Sequence, residues 1–335
     1  MTVLELDEDD VPVIGKLTAD LRAAARTMGV REARYLVDRY YQSQDDRKRS
    51  ANQTRATTEA GEPCAAIEWL AKQNMTLESR IRSMLDVYSD AQPLGAWAKS
   101  IVGIGPVIAA GLLAHIDLAK CPTAGHIWSF AGLDPRVTWK GSEDAGKILA
   151  EALGEKPKVV DESTIAVACR VFRRNADTLR RYAADEDGKM SWNSLCKAVA
   201  RKPWNAQLKV LCWKIGESFV KVQNRHGSYY GRLYAQYRAE EDARNASGDY
   251  AAQAAQKLER FNIGKTTDAY GHYSSGKLPP AHIYARSKRR VAKLFLSHYW
   301  QVGYEMMHKR PAPRPWAIEH GGHTHYIPPP NYTPL

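Results

Sequence analysis

No cysteine of this chain lies in a CxxC pair, and the five present, Cys64, Cys121, Cys169, Cys196 and Cys212, are scattered and odd in number. That argues against a disulfide framework and a thiolate zinc site and for a reducing cytosol, so a cytoplasmic location is expected. No apolar run is long enough to cross a bilayer. The longest, Ile101 to Ile116, is interrupted by Gly103, Gly105, Pro106 and Gly111, so no membrane partner is expected. The first residues are acidic (Glu5, Asp7, Glu8, Asp9, Asp10), where a secretory leader would be basic. Internal repeats are absent. Strand patterning is almost absent too: Val3-Leu4-Glu5-Leu6-Asp7 is the only candidate, and the residues after it have a helical pattern.

What the chain does have is positive charge. Against 37 Asp and Glu stand 48 Lys and Arg, a net charge of +11 over 335 residues. Such an excess favours a polyanionic partner through phosphate neutralisation, although a basic surface can also serve solubility alone. Hydrophobic residues at 44% and charged residues at 25% are ordinary for a globular protein. The length allows one large domain or two to three smaller ones.

Helical periodicity recurs along the chain. It predicts helices over Val11–Met28, Arg31–Arg49 and Cys64–Tyr88, with Asp45–Thr58 as a polar loop or frayed end. Ser142–Leu153 is a short helix, and Glu155–Val160 a linker. Asp161 is an N-cap for a helix that runs to the break at Gly188. Met190–Arg201 is the next helix, stopped by Pro203. Asn205–Arg244 is strongly amphipathic, with a turn or kink near Gly227 and Gly231. Arg238–Gln256 is a surface helix or hairpin, Gly264–Pro280 a loop, and Ala281–His308 the last helix. The expected fold is all-α: a helical region over residues 1–92, a helical domain over 93–310, and a Pro/His-rich tail over 311–335.

The segment Ile101 to Arg136 carries the most specific signal. Gly103-Ile104-Gly105-Pro106 runs into the apolar helix Val107–Ile116, and a turn at Cys121–Pro122 leads to a second apolar segment, Ile127–Leu133. This is the layout of a helix–hairpin–helix. Glycine permits the tight turn, and Pro106 suits the first helical turn, where a missing N–H costs nothing. The free N–H groups and the helix dipole suit a phosphate. The same turn also reads as a close helix connection with no ligand. Candidate DNA contacts are Gly103, Ile104, Gly105, Arg136 and Lys140, joined by Arg286, Arg289, Arg290 and Lys293 on one face of the last helix, beside Lys288. A stripe of this kind contacts phosphates and carries no base code; equally it is a solvated face. Arg170, Arg173, Arg174, Arg180 and Arg181 crowd an earlier helix. Ser191–Arg201 with Pro203-Trp204 reads weakly as part of a winged or helix–turn–helix unit, with Lys197, Arg201 and Lys202 toward DNA.

Gly103-Ile-Gly-Pro, then Trp128-Ser-Phe-Ala-Gly-Leu-Asp-Pro135, resembles the carboxy-terminal domain of the IS-one-ten / IS-one-sixteen / IS-nine-oh-two insertion-sequence transposases. Asn205–Val222, Tyr229-Tyr-Gly-Arg-Leu-Tyr234 and His282-Ile-Tyr-Ala-Arg-Ser-Lys-Arg-Arg290 extend the likeness over residues 101–304, with 142–203 as a helical insertion. The resemblance implies DNA recombination or transposition by a mobile-element or phage protein. It also implies a serine nucleophile shortly after the Ala-Gly-Leu-Asp-Pro segment, for which Ser142 is the nearest match. The favoured reading of Ser142 is nevertheless an N-cap of the helix it begins, with Glu143 and Asp144 in the first turn, since no partner that would activate a nucleophile is evident. The RuvC-like domain of the family, with its metal-binding carboxylates, is not recognisable in this sequence.

In the tail, Glu319-His320-Gly-Gly-His323-Thr-His325 has ligand types and spacing for zinc or another first-row metal, with His298 or His308 as a further ligand. The other reading is a polar tail that docks back through Trp316, Tyr326 and Ile327. A divalent metal is therefore the one cofactor left open. The expected partner is DNA, with RNA and a second copy of the chain also open. The expected function is phosphate-backbone binding of transposase type, with catalysis through Ser142 as its extension. The alternative is a non-enzymatic helical interaction protein, or a phage regulatory or structural factor, whose Gly103–Pro106 turn is structural.

Overall fold

The computed structural model describes residues 17–62, 64–135, 139–315, 319 and 326–334. Among them the chain is all-α, as expected, with fifteen α-helices, one 3-10 turn at Leu118–Lys120 and no strand. A single isolated bridge joins Ala184 and Met190. No helix among the described residues is long and apolar enough to cross a membrane. The chain divides into two compact units, residues 129–209 and the remainder.

The larger unit begins with α1 (Ala19–Arg26), α2 (Val30–Glu59) and α3 (Ala65–Asp90). Helices α2 and α3 pack as a hairpin, with Ile81, Leu85 and Tyr88 of α3 buried against Ala33 and Val37 of α2 and against Val107, Ala110 and Ala114 further on. The stretch expected as a loop over 45–58 is helical. Its polar residues satisfy one another along the helix, through Lys48–Asp45 at 3.2 Å and Arg55–Glu59 at 3.8 Å. Ser50 is buried and accepts a hydrogen bond from Asn74 of α3 at 3.0 Å. Exposed pairs contribute little each; packing against α3 is what carries the helix ten residues beyond Arg49.

Helices α4 (Pro93–Ser100) and α5 (Pro106–His115) come next, joined by the turn 101–105, and then α6 (Ala124–Phe130). After the smaller unit come α11 (Ala206–Lys221), α12 (Tyr229–Ala246), α13 (Ala251–Arg260), α14 (Asp268–Ser274) and α15 (Pro280–His308). Segment 264–280, a loop by its Gly, Ser and Pro content, is not all loop. It contains α14, because Thr267 Oγ1 accepts the Tyr270 N–H at 3.2 Å and caps it. An aromatic core joins α4, α11, α12 and α15: Trp97 stacks on Phe295 at 6.1 Å, and Phe219 on Tyr230 at 4.8 Å. Residues 326–334 dock on this core. Trp97 Nε1 donates to the Pro330 carbonyl at 3.0 Å, and Asn331 Nδ2 to the Ser100 carbonyl at 2.9 Å. His298 Nε2 lies 2.8 Å from the Ile327 carbonyl while its Nδ1 faces the Tyr230 hydroxyl at 2.6 Å.

The smaller unit holds α7 (Ser142–Leu153), α8 (Glu162–Phe172), α9 (Ala176–Ala183) and α10 (Trp192–Val199) around Leu149, Ile165, Leu179, Leu195 and Val199. Asp161 caps α8 through the Thr164 N–H at 2.8 Å, as its position suggested. The single helix expected from Asp161 to Gly188 is two. Arg173 adopts φ 50°, and Asn175 caps a new helix by accepting from Asp177 and Thr178.

Candidate nucleic-acid interface

The turn between α4 and α5 is anchored from beneath by Ile101 and Ile104, both buried. Gly103 stands at φ +104°, and a Cβ there would meet Phe219 Cδ1 and Val222 Cγ2 at 3.2 Å. Its carbonyl accepts a hydrogen bond from the Ser218 hydroxyl of α11. Gly103 is thus glycine for two reasons, a left-handed backbone and the close approach of α11. The side chain of Ile104 is an apolar anchor beneath the turn.

Gly105 differs. It is the N-cap of α5 with φ −93°, and a Cβ on it would meet nothing within 4 Å. Pro106 occupies the first helical position, and the N–H groups of Val107 and Ile108 lack a carbonyl within the helix. An open helix start of this kind favours an anion. The end of α11 adds charge beside it. Gly227 lies against Val102, and the turn leading to it presents exposed Arg225 and His226 after Lys221. Sequence reading did not single out these three residues, because only the fold brings the end of α11 beside Val102. Lys99 of α4 is unsuited to the same role: Asp86 holds its ammonium and Asp90 lies at 2.7 Å. Their hydrogen bonds raise its pKa against the effect of burial.

The basic stripe of α15 is largely engaged within the protein. Arg286 Nε donates to Glu241 of α12 at 2.8 Å, and its guanidinium lies 4.4 Å from the Tyr250 ring. Lys288 is buried and paired with Glu217. Arg290 reaches Glu240 at 2.6 Å and lies 3.8 Å from the Tyr237 ring. Lys293 sits over Trp128 at 4.2 Å, its carbonyl taking the indole N–H at 3.0 Å. Arg289 is exposed. Arg286 therefore holds α12 to α15, and outward charge along the stripe comes chiefly from Arg289, with part of Arg290.

In the smaller unit, Ser142 is the first residue of α7 rather than its cap; Gly141 holds the cap position. Glu143 and Asp144 fill the first turn, as expected. Ser142 lines an open cleft of about 480 Å³ with Lys147, Lys156, Trp192, Asn193 and Lys197. Lys140 is exposed just before it. Gly132, in the Ala-Gly-Leu-Asp-Pro block, has φ +66°, and a Cβ there would fall 2.7 Å from Trp204 Cγ. The block is thus a turn closed by Trp204, and Asn205 N–H completes it through the Phe130 carbonyl at 2.8 Å.

Arg136, His320, His323, His325 and Trp316 lie outside the described residues. Among those described, no three His, Cys, Asp or Glu side chains come together as metal ligands. His298 is unsuited to join such a set, since both its ring nitrogens are engaged.

Neither a curated protein nor a solved structure matches the chain. Residues 96–150, which carry the α4–α5 turn, the Ala131–Pro135 block and Ser142, match the model of the Transposase IS116/IS110/IS902 family.

Proposed function

We propose that this chain is a DNA-binding protein of the insertion-sequence transposase type, which holds the phosphate backbone at the Gly103–Pro106 turn. The observation that carries the reading is the open amino end of α5 at Gly105, on the segment that matches the transposase family. Phosphate oxygens would accept from the first-turn N–H groups, with Lys221 and Arg225 supplying charge and Arg289 extending the footprint. Contacts of this class fix position and leave sequence unread.

A titration of labelled duplex DNA at two salt concentrations tests it. Three neutralised phosphates predict a loss of affinity of roughly 40-fold between about 50 and about 200 mM salt. No binding at the lower salt, or binding insensitive to salt, would leave the structural reading of the turn, that of a helical interaction protein.

Strand transfer through Ser142 is the catalytic extension of this reading. It is favoured by the place of Ser142 at a helix start, opening on a cleft with Lys147, Lys156 and Lys197. The Ser142 hydroxyl would attack phosphorus and lose its proton, and a strand hydroxyl would leave. Attack by a strand hydroxyl on the same phosphorus would then rejoin the DNA and release the serine. Ser142→Ala should remove every covalent protein–DNA adduct trapped in denaturing gels; an adduct that persists rules Ser142 out.

A further inference from the structure

A second cationic surface lies wholly within residues 129–209, and it is built differently from the α5 start. Two large rings stand in solvent, Trp139 at 47% and Tyr182 at 45% exposure. Each has a cation over its face: the Arg201 guanidinium 3.5 Å from the Tyr182 centroid, and the Lys202 ammonium 5.3 Å from that of Trp139. Trp204 repeats the pairing with Lys209 at 4.0 Å. Exposed aromatic rings interleaved with cations are costly to leave uncovered and mark interaction surfaces.

The platform is held in place. The Trp139 indole N–H donates to the Ala200 carbonyl, and Arg174 donates to the carbonyls of Arg201 and, at 3.4 Å, Val199. Together they close the carboxyl end of α10, where a helix leaves unpaired carbonyls and favours positive charge. A ring fixed through its edge, with a face toward solvent, loses little entropy on binding a flat partner.

We propose that the Trp139–Tyr182–Arg201 face binds single-stranded DNA. Unpaired bases stack on Trp139 and Tyr182, and Lys140, Arg201 and Lys202 neutralise the intervening phosphates. A duplex hides the faces of its bases and offers these rings nothing, whereas an unpaired strand presents a π-face at every nucleotide. Arg201 serves either way, because its guanidinium can stay on Tyr182 as part of the stack or turn to a phosphate. This surface belongs to a different unit of the chain from the Gly103–Pro106 turn, and its test does not depend on that turn.

The test is anisotropy of fluorescein-labelled oligo-dT with the full chain, beside a labelled duplex. Tyr182→Ala and Trp139→Ala should each lower oligo-dT affinity roughly fivefold or more, leaving duplex affinity unchanged. Tyr182→Phe keeps the ring and should keep the affinity. Because Trp139→Ala also removes a hydrogen bond to α10, the Tyr182 pair decides the matter if the tryptophan variant melts early. The proposal is overturned if the wild-type chain ignores oligo-dT, if it binds oligo-U but not oligo-dT, if Tyr182→Ala binds as the wild type does, or if Tyr182→Phe falls as far as Tyr182→Ala.

Discussion

Ser218 donates its hydroxyl proton to the carbonyl of Gly103, tying the middle of the candidate phosphate turn to a helix more than a hundred residues further along the chain. Ser218→Ala leaves that carbonyl without its partner and should cost about 1 kcal/mol, read as a lower denaturant midpoint at unchanged slope. Gly103→Ala should cost more, about 1–3 kcal/mol, since φ +104° and the 3.2 Å approach of Phe219 and Val222 oppose it together.

Gly105→Asp separates the phosphate reading from the structural one. Aspartate is a good N-cap, and the site has room for it. Stability should hold or rise by a few tenths of a kcal/mol, while the new carboxylate occupies the place of the phosphate. Duplex affinity should fall about tenfold or more. A variant that folds well and binds DNA as before would show that the α5 start does not touch the backbone.

Acid should weaken the fold through buried histidines. Burial pushes His298 down to about 4 from 6.5, despite the favourable Ile327 carbonyl, and burial with nearby Arg34 does the same to His115. The unfolded chain takes up these protons first. Stability is therefore complete above about pH 6.5 and declines as the pH falls toward 4, by about 3 kcal/mol for His298. Melting curves at stepped pH check this, and His298→Asn should flatten the decline between those limits.

Glu241 holds the α12–α15 face. Burial alone would raise its pKa; hydrogen bonds from Tyr250 and Arg286 outweigh that and lower it. Glu241→Ala strands the Arg286 charge and should cost about 3 kcal/mol. Arg286→Ala should likewise lower stability while leaving duplex affinity per folded molecule near that of the wild type. A selective loss of DNA binding at normal stability would return Arg286 to the interface.

The helices were legible where one face repeats without interruption. Ser142–Leu153 and Pro280–His308 run almost where periodicity places them. Legibility failed where polar residues decide. The stretch after Asp45 looked like a loop because its partners lie across the hairpin on α3, and the break at Arg173 was written only in the capping residue Asn175. The candidate site divides in the same way. Gly103 and Gly105 were visible as a motif, but their different duties depend on α11. Arg286 and Arg290 looked free on a helical wheel, which cannot show Glu241 and Glu240 some fifty residues earlier. The platform of Trp139 and Tyr182 left only a faint trace, since its two rings are 43 positions apart.

The docking of residues 326–334 sets an order on folding. Ser100, at the edge of the α4–α5 turn, receives its hydrogen bond from Asn331, 231 positions later, and Trp97 receives its acceptor from Pro330. During synthesis the helices around this turn can assemble, but that edge stays unclasped until residues 326–334 have left the ribosome. Contacts so distant in sequence form late. The finished edge of the turn should therefore appear only after residue 331 has been made, well after the helices on either side of it.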